Sequence, residues 1–144
     1  MLLCVDIGNT NIKIGVFDGD QLVQRWRLAT ERERLADEYA VLVSSLFSAA
    51  DLHISQITGC AISSVVPSLT DTFDEFSRRY LQLEPLILRH DTPIGMRIHT
   101  DYPAEVGPDL IANAFAARHL HGTPLIVIGF GTATTFVAVS QAGD

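Results

Sequence analysis

One stretch of the chain occurs twice. "VDIGNTNIKIGVFDGD", residues 5–20, superposes on "VIGFGTATTFVAVSQAGD", residues 127–144. Asp6 falls over Gly129, Gly8 over Gly131, Asn9 over Thr132, Asn11 over Thr134 and Val16 over Val139. Each copy reads as an apolar strand, a loop rich in Gly, Asn and Thr, a second strand and a Gly-Asp turn. Self-similarity of this kind marks duplicated supersecondary units and constrains the fold more than any composition figure does. In the first copy a third strand, "QLVQRWRL", follows the turn, whereas the second copy stops at Gly143-Asp144. The expected organisation is a first domain over residues 1–122 and the first two strands of an incomplete second domain over 123–144. The other arrangement open to the sequence is that the last two strands complete the first sheet at its edge.

Between the copies, strand-like and helix-like segments alternate. Asp-Gly between "IKIGVF" and "QLVQRWRL" is a hairpin signal, because Gly accepts the positive φ of a tight turn. "DEYAVLVSSLFSAADL" carries Tyr39, Val41, Leu42, Val43, Leu46 and Phe47 at a spacing that predicts a helix with one buried face. "ITGCAISSVVPS" reads as a buried strand ending near Pro67. Ser68, with Asp71 three residues on, predicts a capping box for the helix "LTDTFDEFSRRYL". "EPLILRHDTPIGMRIHTDYP" is β-like. It leads into a helix, "EVGPDLIANAFAARHLHG", with Leu110, Ile111, Ala114, Phe115 and Leu120 on its apolar side and Gly122 as its stop. Alternating elements with an opening hairpin predict an α/β fold around a mixed sheet.

Composition excludes several classes. A net charge of −7 and no run of Lys or Arg argue against binding a nucleic-acid backbone. The basic residues of "RWRLATERER" alternate with Glu31 and Glu33 and read as a solvated helix start. No run of about 18 apolar residues is present for a membrane span. Cys4 and Cys60 lie in apolar, strand-like runs, where a reduced thiol packs as a small hydrophobe. With no secretory leader pattern at "MLLCVDIGNT", a cytoplasmic location is expected. His90, His99, His119 and His121 show no metal-ligand spacing with a carboxylate and read as surface or loop residues.

The two loops carry the chemistry. Gly8 lets the backbone approach a ligand closely, and Asn9, Thr10 and Asn11 add donors without bulk, a combination that suits phosphate oxygens. Asp6, at the end of an apolar strand, needs its charge offset. A Mg²⁺ held between its carboxylate and phosphates would do so, and so would hydrogen bonds within the hairpin loop. Two such loops, opening duplicated halves, can each hold part of one nucleotide's phosphate chain. Neither is a Walker A loop, and no GxGxxG follows a strand.

Taken with their order, these segments resemble the type III pantothenate kinases, whose ribonuclease H-like, mixed-sheet domains belong to the actin, Hsp70 and sugar-kinase superfold. "DIGNTNIKIGVF" resembles the family's first phosphate motif, "SSVVP" the strand end that follows it, "PAEVGPDLIANAFAA" its Gly-x-Asp-Arg helix start, and "GFGTATTF" its second phosphate motif. The resemblance runs along the whole chain and covers the N-terminal half of such a kinase.

The resemblance implies ATP-dependent phosphorylation of pantothenate, the first step of coenzyme A synthesis. Asp6, Ile7, Gly8, Asn9, Thr10, Asn11, Ile12 and Lys13 would hold ATP phosphates with Mg²⁺, and Thr132 would do so from the second loop. Asp109 would be the general base for the pantothenate hydroxyl, with Gly107, Pro108, Leu110 and Thr100 around the substrate. A homodimer and a monovalent cation, K⁺ or NH₄⁺, are further implications. Three positions depart from the family pattern. Leu110 stands where the family has Arg, Thr100 where it usually has Tyr, and Gly129 where it has the Asp that binds the cation. Leucine offers a carboxylate no donor and glycine offers a cation no formal charge. Two further readings follow: a kinase-like protein that binds nucleotide or pantothenate for regulation without turnover, and a sugar kinase or phosphatase of the same superfold, which shares the Asp-x-Gly loop but leaves "EVGPDL" unexplained. The isolated 144 residues are expected to lack turnover.

Overall fold

A computed structural model describes residues 1–131 and 133–144. By its internal contacts the chain divides into two compact units, Met1–Ile87 and Leu88–Asp144.

The first unit opens with three strands, β1 (Leu2–Ile7), β2 (Asn11–Asp18) and β3 (Gln21–Ala29). Gly19 sits in the tight β2–β3 turn at φ +56°, a conformation that side-chain-bearing residues resist. Helix α1 (Ala36–Ala49) carries the chain across to β4 (Gly59–Ser64), and α2 (Pro67–Phe76) carries it to the short β5 (Leu86–Ile87). The sheet order is β3-β2-β1-β4-β5, antiparallel over β3-β2-β1 and parallel over β1-β4-β5. It is the mixed sheet that the alternating segments predicted.

Period-two alternation sends Leu3, Val5 and Ile7 of β1 and Ile12, Ile14 and Val16 of β2 to one face, each at most 3% exposed. Tyr39, Val43 and Phe47 of α1 and Leu69, Phe73 and Phe76 of α2 bury there with them in one core. Each such side chain contributes roughly 1.5–3 kcal/mol by leaving water. The Tyr39 and Phe73 rings, 4.6 Å apart, tie the two helices together.

Local details differ from expectation in three places. The α1 face is Tyr39–Val43–Phe47 with Ala36 and Ala40, while Val41 is 67% exposed. The apolar residues of α1 are too many for one stripe, and the i, i+4 set takes the core. Secondly, α1 begins at Ala36, with the Glu38 carboxylate accepting the Leu35 N–H at 2.8 Å. "RWRLATERER" is therefore no helix start: Arg25 and Arg27 lie on β3, and Arg32 and Arg34 lie in the loop after it. Thirdly, Ser68 does not cap α2. Pro67 takes the first helical position and Val66 the N-cap, because proline's fixed φ suits N1 and its missing N–H is not needed there. The Ser64 hydroxyl meets the Val66 N–H and carbonyl instead, each at 3.1 Å.

In the second unit, residues 88–107 are irregular apart from a 3-10 turn at Pro103–Glu105, so the β-like reading of 84–103 holds only at Leu86–Ile87. Helix α3 (Pro108–His121) follows, closed by Gly122 at φ +78°. Ile111 and Ala114 bury, whereas Phe115 is 39% and Leu120 72% exposed. Strands β6 (Leu125–Phe130) and β7 (Thr134–Val139) form an antiparallel two-stranded sheet.

The repeat carries a one-residue difference in register. Ile7 pairs with Ile12 across residues 8–11, while Phe130 pairs with Thr134 across 131–133. A slip of one residue sends side chains to the opposite face. Ile126, Ile128 and Phe130 alternate onto one face of β6 and the register sets Phe136 opposite Ile128 on that face; the four are 69%, 50%, 87% and 69% exposed. Val139, on the other face, is 3% exposed.

Candidate functional site

In the first unit, the hairpin between β1 and β2 builds a polar knot on the end of the sheet. The Gly8 N–H donates to the Asn11 carbonyl at 3.0 Å. A Cβ at Gly8 would lie 3.1 Å from that same oxygen, which explains a glycine there despite its ordinary φ. Thr30, just past β3, holds the loop from beneath: its Oγ1 donates to the Gly8 carbonyl at 2.7 Å and its N–H to the Thr10 carbonyl at 3.1 Å. Arg32 donates from Nη2 to Asn9 Oδ1 at 3.0 Å. Among the described residues no backbone carbonyl accepts from the Asn9 or Thr10 amides. Both residues are exposed.

Charge is concentrated beside this tip. Asp6 ends β1 with its side chain 38% exposed, and Lys13, directly opposite on β2, donates to its Oδ2 at 2.9 Å. The charge on Asp6 is thus offset here by the Lys13 ammonium. Ile7 and Ile12, also expected at the site, are fully buried, so their backbone is what they can offer a ligand. Asn11 contributes its carbonyl to the loop's closing hydrogen bond. A single carboxylate beside a loop with exposed amides fits Mg²⁺, which keeps water and takes one or two carboxylates plus substrate phosphates.

In the second unit, Gly107 is the N-cap of α3, Pro108 its first residue and Asp109 a half-buried acid in its first turn. A negative side chain is favoured at that end of a helix. Thr100 and Leu110 meet in a cavity of about 130 Å³, walled also by Val106, Ile111 and Ala114; Asp109 does not line it. Leu110 makes that wall apolar. The Asp144 carboxylate accepts the Arg97 N–H at 3.1 Å and pairs with His99 Nε2 at 3.3 Å. The Arg97 hydrogen bond first, and then His99, hold the Asp144 carboxyl below the usual range. Arg118 of α3 donates to the carbonyls of Gly95 at 2.7 Å and Gly143 at 3.0 Å. Segment 95–99, α3 and the turn after β7 are knitted by these two residues.

In the segment between β6 and β7, Thr132, expected as a phosphate contact, lies outside the described residues. Gly129 pairs with Thr135, and a Cβ added to it would stand 2.6 Å from Thr135 Oγ1. The position is shaped for glycine and offers only backbone oxygen, so the residues present do not fit a charged cation ligand.

Thr30, Arg32, Arg118 and Asp144 were not singled out by the sequence. They lie outside the repeat or beyond its loop, and only the sheet register or a tertiary contact brings them to their partners. The clue for Thr30 was its place at the end of the strand paired with β2.

Comparison with known proteins decides the family. A family model described as type III pantothenate kinase matches residues 2–144. The chain belongs to the type III pantothenate kinase family. Curated type III pantothenate kinases of Roseiflexus sp. (strain RS-1) and Thermomicrobium roseum are 51% and 48% identical to it, over 100% and 99% of this chain. Those alignments cover 56% and 55% of the relatives, so the chain spans a little over half their length. Among solved structures, the inorganic polyphosphate/ATP-glucomannokinase from Arthrobacter sp. strain KM aligns with a TM-score of 0.50 at 20% identity, over 98% of this chain and 58% of that one. At that identity the likeness concerns the fold, which is the sugar-kinase superfold named from the motifs.

Proposed function

We propose that this chain supplies the first phosphate loop and the acceptor-alcohol helix of an ATP-dependent pantothenate kinase. The observation that carries the reading is the β1–β2 loop, whose Asn9 and Thr10 amides have no backbone acceptor among the described residues, with Arg32 on the Asn9 side chain and Lys13 on Asp6 at the loop's base. Amide donors and fixed cations at a glycine bend are what a phosphate chain requires. Asp6 through Lys13 would bind the ATP phosphates. The Asp6 carboxylate would hold Mg²⁺, whose chemistry is to neutralise the charge of the phosphoryl oxygens.

Asp109 would accept the proton of the pantothenate hydroxyl as that oxygen attacks the terminal phosphorus, a step governed by positioning and charge. Gly107 and Pro108 fix the helix start that presents it, while Thr100 and Leu110 would shape the acceptor pocket. Residues 123–144 would open a second, related domain after a first one of 1–122, with Thr132 as its phosphate contact. A homodimer in the cytoplasm, with a monovalent cation at Gly129 held by backbone carbonyls and water without a formal charge, completes the reading.

Titration of the ¹⁵N-labelled chain with ATP and Mg²⁺ tests the loop. Amide shifts centred on residues 6–13, with a further shift at Thr132, are expected to be lost in Asp6→Asn, and absence of the shifts at 6–13 would sink the reading. Fused to the C-terminal part of the Roseiflexus kinase that it does not cover, the chain should support pantothenate-dependent ADP formation, abolished by Asp109→Asn.

A further inference from the structure

Beside the Asp6–Lys13 ion pair stands a hydroxyl that the phosphate-loop reading does not use. β1 runs between β2 and β4, and Asp6 is in register with Lys13 on one side and Ser63 on the other. Residues directly opposite on neighbouring strands share a face, so Lys13, Asp6 and Ser63 form one polar row across three strands. Ile62, the residue before Ser63, is 1% exposed in the core, which places Ser63 on the face away from the helices. Ser63 Oγ is buried and, among the described residues, has no hydrogen-bond partner. A buried hydroxyl without a partner is costly, and one that persists asks for a reason.

The carboxylate supplies one. Lys13 bonds only Oδ2 of Asp6, and among the described residues no group donates to Oδ1. Strands lie about 4.8 Å apart, so a serine hydroxyl can reach a carboxylate on the adjacent strand by rotation about χ1. In the ligand-free chain the ammonium already anchors Asp6. When a triphosphate arrives, the Lys13 side chain, 62% exposed and on a flexible stem, is free to move onto phosphate oxygens. Asp6 then loses its anchor at the moment its charge is needed to face a metal ion.

We propose that Ser63 is a positioning residue for Asp6: its hydroxyl donates to the carboxylate when Lys13 leaves for the phosphates. The hydroxyl is left unpaired in the free chain so that it is paired in the bound one. No bond is made or broken beyond hydrogen bonds, and no proton changes owner. The inference rests on the phosphate-loop reading above.

The test exploits opposite signs. Ser63→Ala removes an unsatisfied hydroxyl and should leave the free chain as stable as the parent or more so. The same substitution should weaken Mg²⁺·ATP binding about tenfold, the loss of one hydrogen bond to a charged group. Without Mg²⁺, in EDTA, ATP should bind parent and variant alike, because Asp6 then has no ion to face. Ser63→Thr keeps the hydroxyl and should restore Mg²⁺·ATP affinity. A Ser63→Ala variant that loses stability and binds Mg²⁺·ATP like the parent would overturn the proposal while leaving the loop reading intact. Failure of the parent chain to bind Mg²⁺·ATP at residues 6–13 would overturn both.

Discussion

Replacing Thr30 by valine isolates one hydrogen bond to the β1–β2 loop. Valine keeps the β-branched shape and the strand preference of threonine but has no donor. The bond removed is the 2.7 Å contact from Oγ1 to the Gly8 carbonyl, in a partly buried place. The two backbone bonds of the loop, Gly8 N–H to Asn11 and Thr30 N–H to Thr10, at 3.0 and 3.1 Å, remain. Leaving a buried carbonyl unpaired costs about 1–3 kcal/mol, and partial solvent access puts this case near the lower end, about 1 kcal/mol. With a urea m-value of about 1–3 kcal/mol/M, the midpoint should fall by roughly 0.5 M. Hydrogen exchange should localise the effect, with faster exchange at the Gly8 and Thr30 amides and little change in the α1 and α2 core. Thr30→Ser should recover the exchange protection, since it restores the donor. A Thr30→Val midpoint and loop exchange both indistinguishable from the parent would refute the claim that Thr30 braces the loop.

Burial pushes the Cys60 thiol from an ordinary value near 9.0 up to about 11. The fold therefore favours the neutral thiol, and its contribution is complete below the unfolded value and lost as pH rises through about 11. Urea midpoints measured from pH 7 to 10.5 should decline in the parent and less steeply in Cys60→Ala, and native Cys60 should resist alkylation at pH 8. Gly129→Asp alone should destabilise the β6–β7 hairpin by about 1–3 kcal/mol, because the new Cβ meets Thr135 Oγ1 at 2.6 Å. Adding Thr135→Ala should return most of that loss in thermal denaturation. Phe130→Lys with Phe136→Lys, at positions 87% and 69% exposed, should leave the melting temperature near that of the parent and reduce concentration-dependent association in sedimentation.

The repeat made the fold legible. Once "VDIGNTNIKIGVFDGD" reads as a hairpin with a third strand behind it, the apolar alternation of Leu3, Val5 and Ile7 and the helical spacing of Tyr39, Val43 and Phe47 leave little freedom for the sheet. What sequence could not supply was choice among near-equivalent residues. Val41 and Val43 have the same chemistry, and only packing against α2 decides which one buries. Ser68 is a good cap by type, but Pro67 one residue earlier fits N1 and starts the helix first. At the loop, Gly8, Asn9 and Thr10 were legible because their chemistry is local. Thr30 was not, because it reaches the loop through strand register, which no single segment encodes. The one-residue register difference at β6–β7 was equally invisible, since the two hairpins align without a gap.

That difference bears on how the two halves of the repeat divide their chemistry. β1 and β2 place Asp6 opposite Lys13 and bring Arg32 to the loop, whereas β6 and β7 contain no charged residue at all. The second hairpin can meet a phosphate only with hydroxyls and backbone amides. In a chain of net charge −7, the attraction that draws a polyanion must then come from the local field of Lys13 and Arg32, which overcomes the overall repulsion only at short range. Exposed cations of this kind lose their reach as the Debye length shortens to about 8 Å at physiological salt. On the proposed reading, the first loop would be the part of the repeat that draws in a nucleotide, through charge. The second would be the part that discriminates, through shape and hydrogen bonds, because uncharged donors are directional and attract nothing from a distance.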